Sequence, residues 1–143
     1  MMNTWTASRA LLAILALAVS GTLLELVLLE HYEDWQQWVP LGALSVTTLT
    51  ILWQAVAPSD ASRRLFRVLM WVLLVAGLVG VVLHLRGNLE FEQELNPGLG
   101  GIPLWVEVFR GATPALAPGS LIPFALLGLL YLRMVHGAPP EHQ

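Results

Sequence analysis

The amino-acid sequence predicts an all-α integral membrane protein. The expected architecture is a four-helix bundle with both termini on one side and a structured outer loop, containing a short interfacial helix, between the third and fourth spans. Three observations lead there. Hydrophobic residues make up 56% of the 143 residues and charged residues only 12%, and the mean hydropathy is positive, a balance foreign to soluble domains. Four apolar segments approach the length a spanning helix needs, roughly 20 residues. Five of the seven arginines collect on one side of those segments. The length suits one transmembrane domain, residues 1–143, with no separate catalytic module.

The first span is read over residues 10–29. Arg9, the apolar run from Leu11 to Val19 and the triplet Ala18-Val19-Ser20 also resemble a cleavable signal peptide. Because the run resumes at once with Leu23-Leu24-Glu25-Leu26-Val27-Leu28-Leu29, an uncleaved span is the favoured reading. The second span covers 39–57, with Pro40 suited to a first helical turn and Pro58 ending it. The third covers 65–85. The fourth covers 121–136, with Ser120 as its expected N-cap and Gly137 and Pro139-Pro140 as its stop.

The outer loop, 86–120, follows the third span. That helix either continues to Glu94-Leu95 and breaks at Asn96-Pro97-Gly98, or ends at Gly87 with Asn88 capping a second helix. Gly98 to Gly101 reads as a flexible connector. Pro103 to Arg110 reads as a short interfacial helix carrying Leu104, Trp105, Val108 and Phe109. Thr113 to Gly119 reads as a rigid turn into the fourth span.

Charge sets the expected orientation. Arg9, Arg63, Arg64, Arg67 and Arg133 share one side with Asp60 and Glu141, for a balance of +3. Glu30, Glu33, Asp34, Glu90, Glu92, Glu94 and Glu107 share the other with Arg86 and Arg110, for −5, and intramembrane Glu25 supplies the remaining −1. The arginine side is expected to face the cytoplasm, which makes this a protein of a bacterial cytoplasmic membrane with acidic loops outside. Trp35, Trp38 and Trp105 then fall in the outer aromatic belt.

Chemistry is concentrated at that outer end. Spans one and three run the same way, so His31 and His84 are expected at one height, with Glu25 about 6 Å below the end of its span. A carboxylate at that depth is protonated, paired or wet; Ser45 on span two is one candidate partner. If the third helix continues, His84, Asn88 and Glu92 stack on one face, and Arg86, Glu90 and Glu94 on another. Imidazole and carboxylate together suit a divalent transition metal, Zn, Mn, Fe or Cu. Glu25, His31 and His84 are the candidate inner ligands, and Glu30, Glu33, Asp34 and Glu92 the remaining ligands or their supports. Haem between His31 and His84 is a weaker alternative.

Other patterns have plainer readings. Thr47, Thr50 and Gln54 lie on one side of span two, as a polar path or as helix-satisfied hydroxyls beside a bonded amide. Gly77, Gly80, Gly21 and Gly128 offer close helix packing, inside the bundle rather than between copies. Arg63, Arg64 and Arg67 could bind anionic lipid, although topology alone explains them. The sequence has no Cys and no Lys, hence no disulfide framework or thiolate site, and no basic run suggests nucleic acid. The His-x-x-x-His, Glu-x-x-His and His-Glu-x-x-His patterns, a nucleophile triad, a phosphate loop and a dinucleotide fingerprint are all missing. The functional expectation is therefore a metal-binding membrane protein. The alternatives are a non-catalytic accessory subunit of a homo-oligomer or larger membrane complex, and a proton or ion path through Glu25 and the Thr stripe.

Overall fold

The computed structural model describes residues 4–111 and 113–136. The expected stop of the last span at Gly137 and Pro139-Pro140, and the charge of Glu141, lie outside the described residues. Helix α1 spans Thr4–Leu28, α2 Trp38–Val56, α3 Asp60–Leu95, α4 Gly101–Arg110 and α5 Leu121–His136. Short 3-10 turns at Trp35–Gln37 and Ala117–Ser120 lead into α2 and α5. No strand occurs among the described residues.

Four of these segments are long and apolar enough to cross a membrane. Only 17% to 39% of each apolar window is buried within the protein, so most of the apolar surface needs lipid or another chain to cover it. The helices close a ring in which α1 packs on α2, α2 on α3, α3 on α5 and α5 on α1. The two diagonal pairs make no comparable approach. Leu15, Val19, Leu44, Ile51, Phe66, Met70, Leu73 and Ala125 fill the centre, and Phe66 meets Tyr131 edge to face with ring centroids 5.7 Å apart.

Helix α3 is the axis of the molecule. Its 36 residues span roughly 54 Å at 1.5 Å per residue, well beyond a hydrocarbon core of about 30 Å. It begins on a reciprocal cap: Ser62 N–H donates to Ser59 Oγ at 3.1 Å, and Ser59 N–H donates to Ser62 Oγ at 2.9 Å. It passes Gly87 without a break and stops at Asn96, whose φ of −131° and ψ of 72° suit the residue before a proline. Of the two readings of this loop, the continuous helix is the one formed. One glycine of Gly87-Asn88 is tolerable in a helix anchored on both sides.

Close packing between α3 and the α5 entry uses the glycines. A methyl at Gly80 would lie 2.6 Å from Pro118 Cβ, and one at Gly77 3.0 Å from Ile122 Cγ1. Gly128 sits directly against Met70. These three serve the internal bundle as expected, whereas Gly21 faces open space. Ser120 lies within the 3-10 turn that feeds α5 rather than standing ahead of the helix as an isolated N-cap. The short loop helix starts two residues earlier than Pro103, at Gly101, which has a φ of +62°.

A buried polar network ties the arginine-rich end. Ser62 Oγ donates to Gln54 Oε1 at 2.5 Å, and Gln54 Nε2 donates to Tyr131 OH at 3.3 Å, linking α2, α3 and α5. The stripe of Thr47, Thr50 and Gln54 is inward, and Thr50 Oγ donates to the Val46 carbonyl of its own helix, as does the neighbouring Thr48 Oγ to that of Leu44. Thr47 Oγ is buried with no partner among the described residues.

Candidate functional site

The end opposite the arginines is built on two junctions. The first follows α1. Glu30 N–H donates to the Val27 carbonyl at 3.1 Å and His31 N–H to the Leu26 carbonyl at 2.9 Å, while Glu30 adopts a left-handed φ of 53°. This is the Schellman ending of a helix, with Glu where Gly is usual. It places His31 immediately after the reversal, half-buried. The chain then turns through Glu33 and Asp34, whose N–H groups both donate to Gln37 Oε1 at 2.7 and 3.1 Å.

The second junction is the clamp on α3. Asn88 is almost fully buried, at 1% exposure. Its Nδ2 donates to the carbonyls of Val108 and Thr113 at 3.0 and 2.8 Å. Its Oδ1 accepts from Thr113 N–H at 3.1 Å and from Thr113 Oγ at 2.7 Å. Every hydrogen-bonding position of the amide points at a complementary partner, so the side-chain orientation is unambiguous. Gly111 leaves the room this requires, since a Cβ there would lie 2.5 Å from Asn88 Cγ. The clamp holds α4 and the following loop against α3.

That loop positions His84. Its Nδ1 lies 3.2 Å from the Pro114 carbonyl oxygen. A carbonyl only accepts, so Nδ1 is the donor in this contact and Nε2 points away from it. The His84 charge is felt at His31. Burial first, and the His84 charge second, push the His31 imidazole below its ordinary pKa of 6.5 and hold it towards the neutral form. Helix α1, which leads to His31, and helix α3, which carries His84, are diagonal in the ring.

The carboxylates do not join them. Glu25, Glu30, Glu33 and Asp34 are exposed. Glu92 is buried but is engaged by Asn96 Nδ2 at 3.3 Å, one turn further along α3. Among the described residues no group of three or more His, Asp or Glu side chains comes together to hold a metal ion. Ser45 does not meet Glu25; its hydroxyl donates to the Leu41 carbonyl of its own helix at 2.7 Å. Arg86 and Glu90 form the expected ion pair at 2.8 Å on the exposed side of α3.

Two contributors escape a reading of the sequence. Asn88 carries its signal only through its place between His84 and Glu92 on one helical face, four residues from each. Pro114 acts through its backbone, which no side-chain pattern reveals. Comparison with known proteins finds no match to a family model, to a curated protein or to a solved structure.

Proposed function

We propose that this chain is a small four-span membrane protein that binds a transition metal ion at its acidic end through His31 and His84. One observation carries the reading: two imidazoles at the same end of the protein that interact through charge, one with Nδ1 at the Pro114 carbonyl, the other biased towards neutrality by burial and by the first. A metal-binding imidazole must be neutral, and a ligand histidine characteristically gives its other ring N–H to a carbonyl or carboxylate. Imidazole donors without thiolate suit Zn, Cu or Fe, with Mn favoured only as carboxylates join.

Two imidazoles leave the coordination incomplete. Water or a group from a second chain fills the remaining positions, with Glu30, Glu33 and Asp34, on the same turn as His31, as the chain's own reserve; Glu25 and Glu92 are further removed in role. Elemental analysis and an absorption spectrum of the detergent-purified protein test this. The expected result is stoichiometric metal that is lost in His84→Ala. A metal-free protein, equally stable with and without chelator, refutes it, and a Soret band would instead identify haem between the imidazoles.

A second reading, an accessory subunit of a membrane assembly, is favoured by Glu25. Its carboxyl is exposed on α1 between the exposed Leu24 and Val27, where an ionised group without a partner is costly. Mass measurement in mild detergent distinguishes a monomer from a complex, and Glu25→Leu dissociates a complex that this carboxyl supports.

A further inference from the structure

The arginine-rich end contains a cleft of about 250 Å³ lined by Asp60, Arg63, Arg64, Arg67 and His136. It lies between the first turns of α3 and the last turn of α5. Topology requires arginines near this end of the spans, but not that three of them border one hollow. Arg63 is the one drawn inward. Its Nε–H is buried and has no acceptor among the described residues, and its Nη1 reaches Asp60 Oδ1 only at 3.7 Å. A buried donor on a charged group with no acceptor is unfavourable, so a guanidinium that turns outward from this position to meet an anion in the cleft gains a partner.

We propose that this cleft binds an anionic phosphate group, carried by the headgroup of an acidic membrane lipid or by free phosphate. Guanidinium groups match phosphate oxygens in geometry as well as in charge. With one carboxylate against three arginines, the lining is net positive before His136 is counted. The His136 ring is held by Nδ1, which donates to the Leu132 carbonyl at 2.9 Å and leaves Nε2 available. The volume corresponds to roughly eight waters at about 30 Å³ each, ample for a phosphate. The cleft also borders the apolar surface of α3, where Leu65, Val68 and Trp71 are exposed beside Arg64 and Arg67, as expected at headgroup depth.

The test uses the full chain in detergent and counts bound lipid by native mass spectrometry, with phosphatidylglycerol and phosphatidylcholine as probes. Phosphatidylglycerol is expected to bind at least about tenfold more tightly than phosphatidylcholine, equivalent to about 1.4 kcal/mol. Arg63→Gln combined with Arg67→Gln removes that preference. Asp60→Asn, which keeps every arginine and deletes the competing carboxylate, strengthens binding severalfold. Arg133→Gln, at the same end but outside the cleft, leaves it unchanged.

Inorganic phosphate separates the sources. Displacement of the lipid by millimolar phosphate shows that the phosphate group alone suffices, and failure to displace shows that the lipid form is required. The site is overturned if phosphatidylglycerol binds no better than phosphatidylcholine, if Arg133→Gln weakens binding as much as the cleft variant, or if Asp60→Asn does not strengthen it.

Discussion

Replacing Asn88 by Ala should unlatch the loop that holds His84 while leaving the four spans assembled. The side chain makes four hydrogen bonds, to Val108 and Thr113. At a net contribution of about 0.5–1.5 kcal/mol each, their sum is about 2–6 kcal/mol. Thr113 is exposed, so its N–H and hydroxyl recover bonds to water once the clamp is lost. The loss therefore falls in the lower part of that range, about 2–3 kcal/mol, or a 30- to 150-fold increase in local opening.

Hydrogen exchange reads this directly. Amides across 101–120 should lose protection by that factor, while those of Leu44, Ile51 and Leu73 in the buried centre keep theirs. Asn88→Asp sharpens the test. It preserves the acceptor facing Thr113 but turns the donor into a carboxylate oxygen aimed at two carbonyls. It should cost more than Ala at neutral pH and partly recover when the carboxyl is protonated. Unchanged exchange across 101–120 in the Ala variant, or uniform loosening of all helices, would refute the clamp.

Other outcomes follow from the same contacts. Gly80→Ala forces a methyl against the Pro118 ring and should lower thermal stability by about 1–3 kcal/mol, while Gly21→Ala, which meets open space, should be neutral or slightly stabilising; equal effects at both sites contradict the packing described. Tyr131→Phe removes one hydrogen bond from Gln54 and should cost about 1 kcal/mol, whereas Gln54→Ala, which also strands Ser62, should cost more; thermal melting ranks the two. His31, with its pKa held below 6.5, remains neutral where the unfolded chain takes up a proton, so its contribution is harmless above about pH 6.5 and stability falls as pH drops below it. His31→Gln should flatten the melting temperature between pH 7 and pH 5, and an unchanged slope assigns the acid sensitivity elsewhere.

The spans were legible in the sequence because hydrophobicity and helix-ending residues act locally. Pro58 and Asn96-Pro97 follow the ends of α2 and α3, and α5 begins at Leu121 as the sequence predicts. What remained hidden was long-range or backbone-borne. The bonds of Asn88 to Val108 and Thr113, 20 and 25 residues away, are of this kind. The histidines were visible as residues, and placing them at one end needed only parallel spans of similar length. The acids were equally visible but ambiguous: a carboxylate that keeps a loop in water has the same sequence signature as one that binds a metal, and exposure of the Glu30, Glu33 and Asp34 side chains is common to both.

Glu30 nevertheless occupies a position that stability alone does not explain. A Schellman ending favours Gly at the left-handed residue, because a Cβ there is disfavoured by roughly 1 kcal/mol. The residue stands at φ 53° directly before His31, and sparsely populated backbone conformations cluster where side chains must be aimed. Glu30→Gly keeps both closing hydrogen bonds and the direction of the chain at His31, and should raise stability by about 0.5–1 kcal/mol. If the carboxylate assists a metal held by His31 and His84, the same variant must bind that metal more weakly while melting at a higher temperature. Those opposed changes tie Glu30 to the site, whereas a gain in stability with unaltered metal binding leaves it as a helix cap alone.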